Sequence, residues 1–177
     1  VTNFGGSSSS TTQSSLINAY ASEWVASNNV ISMQMAYGGG VLVCFALTYP
    51  TTTNKVMYSS DNGSTWNSAT LPVTSDLWCT LKYANGKFIL LRQGGYGCYS
   101  TNGSTWSAMT NNSAFNDTYF TDVVWTGSTY IACGQNTSSY SDIRTITSSD
   151  GITWATGPAI GVSISYPGTI VSLTVTS

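Results

Sequence analysis

Few side chains in this chain can do chemistry. Its 177 residues include seven Asp or Glu, five Lys or Arg and no His. Without His a Ser-His-Asp relay cannot be assembled, and no Gly-rich loop ending in Lys offers a phosphate cradle. Carboxylate chemistry remains: two of Asp76, Asp117, Asp122 and Asp142, brought together, could protonate and attack a glycosidic bond. Their spacing gives no positive sign of such a pair. Recognition is the other possibility. Tyr49, Arg92, Tyr96, Asn116, Asp117, Tyr140 and Asp142 fall in polar connections, where rings stack on sugar faces and polar groups bond hydroxyls. The plainer reading makes Tyr49, Tyr119 and Tyr140 packing residues at a rim. These seven are the expected ligand-binding residues; no catalytic residue, metal or cofactor is expected, and the chain is expected not to be an enzyme.

The elements that position these residues follow from a repeat. Ser59-Ser60-Asp61-Asn62-Gly63-Ser64-Thr65-Trp66 recurs as Tyr99 to Trp106 and as Thr147 to Trp154, with a worn copy ending at Trp24. The tryptophans return every 40 to 48 residues, the period of a stacked-unit architecture. Each copy reads as a hairpin turn. Gly63, Gly103 and Gly151 supply positive φ, and Asn62, Asn102 and Asp150 before them tolerate it. Trp66, Trp106 and Trp154 are expected to open the returning strand. Asp61 and Asp150 organise turns rather than bind calcium, because metal sites need converging carboxylates and these stand in separate repeats.

Ser59 to Trp66 resembles the Asp-box (sialidase-type) repeat, Ser-x-Asp-x-Gly-x-Thr-Trp. In the other copies Thr101 and Ser149 stand at the Asp position, while Gly, Thr and Trp are kept. The resemblance implies an all-β propeller in which the box joins the third and fourth strands of a blade. It leaves function open. Sialidases with such boxes use an arginine cluster, a Tyr-Glu pair and a separate Asp; two arginines and the lone Glu23 make that activity an unsuitable expectation here.

Composition narrows the partners. Charged residues are 7%, hydrophobic residues 41% and the formal charge −2, so no basic groove can track phosphates and nucleic acid is a poor partner. The longest apolar run, Val41 to Leu47, is strand-sized, so no membrane insertion is expected; the N-terminus carries no secretory pattern. Cys44, Cys79, Cys98 and Cys133 lack metal spacing and are favoured as small apolar strand residues over disulfides. Sequons at Asn62, Asn102, Asn111, Asn116 and Asn136 arise readily in so Asn- and Ser-rich a chain.

Strand signals repeat in order. First strands are expected over 30–37, 77–83 and 119–125, second strands over 41–47, 87–92 and 129–133. Third strands are expected over 55–59, 96–100 and 143–147, and fourth strands over 65–69, 105–108 and 153–155. Residues 162–166 and 169–176 supply two strands of a further unit; 16–18 and 23–27 supply its other two. The expectation is a four-bladed propeller of four antiparallel strands per blade over 16–177, its closing blade shared by both ends so that no edge stays open. A ring built from several chains is the rival. Residues 1–15 read as a flexible Ser/Thr/Gly arm. The low charge, polar arm and small β repeat look like virion surface components of tailed bacteriophages. That likeness implies a structural module on the virion surface, its arm docked on a neighbouring subunit and its loop face touching host glycans. The alternatives are a secreted carbohydrate-binding lectin and a glycosidase-like enzyme.

Overall fold

The computed structural model describes residues 29–49, 55–72, 78–93, 97–110, 116–138 and 143–158. The expected closing sheet, over 16–27 and 162–176, lies outside the described residues, as does the 1–15 arm. Every regular element described is a strand. The first sheet holds β1 (Asn29–Gly38), β2 (Val41–Tyr49), β3 (Lys55–Ser59) and β4 (Asn67–Ser68). The second holds β5 (Trp78–Ala84), β6 (Lys87–Arg92), β7 (Gly97–Ser100) and β8 (Ser107–Ala108). The third holds β9 (Thr118–Trp125), β10 (Tyr130–Asn136), β11 (Ile143–Ser148) and β12 (Ala155–Thr156). Each is an antiparallel meander in chain order, and β5 runs beside both β1 and β9 at the inner edge.

Register makes the three sheets equivalent. Met35, Cys44 and Met57 stand opposite one another in the first, Leu81, Leu90 and Cys98 in the second, and Val123, Ala132 and Ile146 in the third. Directly opposed residues share a face, so each row is one stripe. The second row packs back on Val43, Phe45 and Val56 of the first sheet. The third row packs back on Ile89 and Leu91 of the second. The middle sheet is therefore covered on both sides, which is why β6 carries the unbroken apolar run Phe88-Ile89-Leu90-Leu91, all buried. Each of these side chains contributes about 1.5–3 kcal/mol by leaving water. The three described sheets follow one another with the second between the first and third, and do not by themselves close a ring.

Two expectations change. The tryptophans do not open the fourth strands but stand immediately before them, at Trp66, Trp106 and Trp154. In the first two a hydrogen bond holds the indole within the turn, Trp66 Nε1 donating to the Gly63 carbonyl at 3.2 Å and Trp106 Nε1 to that of Gly103 at 2.9 Å; the third, Trp154, is held by burial. Two second strands also run past their expected ends, since β2 reaches Tyr49 and β10 reaches Asn136, whereas β6 ends on Arg92 as expected. Tyr49 and Arg92 are thus strand residues rather than loop residues.

Candidate functional site

The meander puts two kinds of connection on opposite faces. The β1–β2, β5–β6 and β9–β10 turns share one face with the repeated box turns. The second-to-third and sheet-to-sheet connections share the other, the loop face.

On the turn face the boxes are structural clamps. The Ser59 hydroxyl donates to Asp61 Oδ1 at 2.7 Å and accepts from Gly63 N at 2.8 Å; Asp61 in turn accepts from Thr65 N and Thr65 Oγ1. These bonds, the Thr65 hydroxyl's first, hold the Asp61 carboxyl down at about 2. The other two boxes are clamped by the same groups at different offsets. Ser100 bonds Asn102 and Gly103, and Asn102 Oδ1 accepts from Thr105 N at 3.0 Å. Ser148 bonds Asp150 and Gly151, and Asp150 Oδ1 accepts from Thr153 N at 2.8 Å. Counted forward from the serine, Asp61, Asn102 and Asp150 are equivalent, and the first box has one extra residue, Asn62, at φ 58°. Thr101 and Ser149 are bystanders. Asp61, Gly63, Trp66, Gly103, Trp106, Asp150, Gly151 and Trp154 are therefore all turn residues, and Ser59, Asn102, Ser100 and Ser148 join them.

The second and third turns also dock on the preceding sheet. A Cβ on Gly103 would stand 2.7 Å from Val43 Cγ2 and 2.9 Å from Val41 Cγ1, so only glycine fits. Thr70 N donates to the Ser104 carbonyl and Trp106 N to that of Thr70, and Thr110 N donates to Ile152 in the same way one unit later. Trp106 and Trp154 are buried against the sheet before them.

The loop face holds the recognisable polar chemistry. Arg144 Nη1 bonds Asp117 Oδ1 at 2.6 Å, with the two side chains 33% and 37% exposed. The Asp117 carbonyl is fixed by Thr137, whose N and Oγ1 donate at 2.6 and 3.0 Å. Exposed Asn116 precedes the pair. Tyr119, two residues into the sequence beyond Asp117, exposes 38% of its surface, and partial burial raises its phenol's pKa above the ordinary value. Tyr119, expected as a rim packing residue, is exposed here, and Arg144 is a residue that nothing in the sequence pattern singles out. Tyr96, Tyr140 and Asp142 lie outside the described residues, as does the side chain of Tyr49. Of these residues Asp117 and Arg144 are the pair in contact; Asn116 and Tyr119 flank Asp117 in sequence, Tyr119 stands in the row of Gln135 and Ile143 rather than that of Arg144, and Arg92 closes β6 in the neighbouring sheet.

Along the inner strands a second polar group crosses between sheets. Lys82 Nζ reaches Asp122 Oδ1 at 2.9 Å, the lysine side chain 43% exposed and the aspartate 2%. Gln34 does the corresponding work one interface earlier, donating to the Cys79 carbonyl and accepting from Leu81 N. Asp117 and Asp122 stand five residues apart along one extended strand, roughly 15 Å, too far for a glycosidase pair at about 5–10 Å. Asp61 and Asp150 belong to the turn face. Among the described residues no three His, Cys, Asp or Glu gather as a metal site. All four cysteines are buried.

No family model matches this sequence, and no curated protein matches it. Solved structures do, and they are β-propeller proteins. An exo-β-1,3-galactanase from Phanerochaete chrysosporium aligns with TM-score 0.53 and 16% identity over 75% of this chain and 37% of its own. A GH32 β-fructofuranosidase from Bombyx mori aligns at 0.50 and 15% over 78% of this chain and 35% of its own. A GH43 β-1,3-galactosidase aligns at 0.50 and 9% over 75% and 58%. The chain thus spans between about a third and three-fifths of these enzymes. At such identities the likeness is one of fold.

It overturns the expectation that the chain is not an enzyme. The fold is shared with glycoside hydrolases of families GH32 and GH43. Absence of histidine and of an arginine cluster does not bear on such chemistry, because hydrolysis of a glycosidic bond requires two carboxylates, the route that Asp76, Asp117, Asp122 and Asp142 left open. None of the three neighbours bears on a virion setting.

Proposed function

We propose that this domain binds hydroxyl-rich carbohydrate on its loop face, at the patch made by Tyr119, Asn116 and the Asp117–Arg144 pair. The observation that carries the reading is the solvent-reaching Asp117–Arg144 ion pair at the start of β9, with exposed Asn116 just before it and the exposed Tyr119 two residues on. A ring face packs against the C–H face of a pyranose, while amide, carboxylate and guanidinium groups bond its hydroxyls. Strand β9 and the Thr137 bonds hold these groups in place without ligand, which limits the ordering cost of binding. We further propose that the scaffold is a four-bladed propeller whose closing blade comes from 162–176 and 16–27. In support, Cys44 and Cys133 are buried although both lie on sheet faces turned away from the second sheet.

Glycan-array screening followed by titration calorimetry tests the binding reading. Wild type is expected to bind a defined set of glycans, and Tyr119→Ala to weaken binding at least tenfold with an unchanged melting temperature. Wild-type silence across the array, or binding indifferent to both Tyr119→Ala and Arg144→Ala, would sink it. Reducing-end release from the same glycans reads whether binding leads on to hydrolysis.

A further inference from the structure

The first sheet presents a stripe that its two successors bury. Met35 and Tyr37 are 45% and 61% exposed, whereas their equivalents Leu81 and Val123 are buried and Tyr83 and Trp125 are half-buried. The successors show what belongs there. Tyr83 lies over Gly38, the residue just after the aromatic of the preceding inner strand, so closely that a Cβ on Gly38 would stand 2.0 Å from Tyr83 Cδ1. Trp125 packs one interface later in the cluster that includes Ala84, the residue just after Tyr83. Each inner strand therefore sends an aromatic backward and offers a small or compact residue forward. The sequence 162–168 repeats this arrangement, with Tyr166 as the aromatic and Pro167 as the residue after it. The stripe already holds buried Cys44 and Met57 beside Met35, so its outer part is covered, and among the described residues no sheet packs on its inner edge.

We infer that this face is the docking surface for residues 162–173 of the same chain, with Tyr37 seated on Pro167 and Tyr166 seated on Thr126. The assignment rests on the four-bladed ring proposed above. In that ring Ser163, Ser165 and Pro167 face the first sheet with Val171 and Leu173, a surface of small residues under Met35 and Tyr37. Ile164 and Tyr166 face the third sheet. Four aromatic-on-small-residue contacts then run around the axis: Tyr83 on Gly38, Trp125 on Ala84, Tyr166 on Thr126 and Tyr37 on Pro167.

Size compensation tests the seat in the full-length protein. Pro167→Trp is expected to lower the unfolding midpoint in urea, and Tyr37→Ala in the same chain to restore most of the loss. The two changes should couple at least fivefold in the unfolding constant; Thr126→Trp with Tyr166→Ala reads the second seat, and Gly38→Ala with Tyr83→Ala calibrates the method. Light scattering accompanies every sample. Coupling at both seats in a monomer supports the inference. Coupling at Thr126 alone means the ring stands but the Pro167 register is wrong. Coupling at neither seat, or only in a particle of doubled mass, removes the intrachain ring itself and overturns the inference. Glycan binding by Tyr119 is read separately and can fail or succeed in any of these cases.

Discussion

At the scale of single residues the box turns show why equivalent positions need not be equidistant. The sequence pattern aligns the repeats on glycine, which leaves Thr101 and Ser149 at the Asp position; the clamp is anchored on Ser59, Ser100 and Ser148 instead, and the oxygen two residues on does the work. Because a turn is closed by where an acceptor sits, Asn102 serves as well as Asp61. The pH responses of the two should differ. Asp61 has its folded carboxyl pulled from 3.8 to about 2, so the clamp is intact above the ordinary carboxylate range and is lost as pH falls from about 4 toward 2. Asp150 is lowered too, by the Thr153 and Ile152 amides. Melts between pH 2 and 5 should therefore be flatter for Asp61→Asn, and flatter still with Asp150→Asn. The cysteines give a second expectation. Burial pushes the Cys79 and Cys98 thiols up to about 12, so at pH 8 native protein should resist a disulfide reagent for many minutes, and only denatured protein should release four reactive thiols.

Strands and their order were the most legible part of the sequence, since β-branched and aromatic runs separated by Gly turns leave little alternative to a meander. The inner-strand bulges were not legible. β5 shifts register between Trp78 and Thr80, and β9 shifts where Cys133 meets Gly134, and nothing in the alternation of side chains announces an unpaired residue. The loop-face cluster was half legible. Asn116 and Asp117 stood out as polar residues in a connection, but their tie to Arg144 spans 27 positions and depends on the lateral order of strands. Lys82 and Asp122 escaped for the same reason, being matched only by the packing of one sheet on another. Gly134 marks how tight the bulge is: a Cβ there would stand 2.4 Å from the Tyr119 carbonyl oxygen. Gly134→Ala should cost about 1–3 kcal/mol of stability, measured by urea unfolding, because backbone cannot give way as a side-chain tip can.

For the molecule as a whole, unequal shielding of the sheets sets an order of local stability. The middle sheet is packed on both faces and its β6 side chains are buried throughout the run Phe88 to Leu91, while β4, β8 and β12 are two-residue strands with exposed side chains. Hydrogen exchange should be slowest at β6 amides and faster by orders of magnitude in those outer strands; uniform protection would contradict this arrangement. The docking of the second and third box turns on the sheet before them has a consequence for biosynthesis. A nascent polypeptide leaves the ribosome N-terminus first, at about 5–20 residues per second, so a repeat of about 40 residues emerges every few seconds. Each newcomer finds its support already made and can settle on arrival. Of the three described sheets the first made has no described elder to lean on, and in the ring proposed above one of its flanks would stay bare until residues 162–176 had been made.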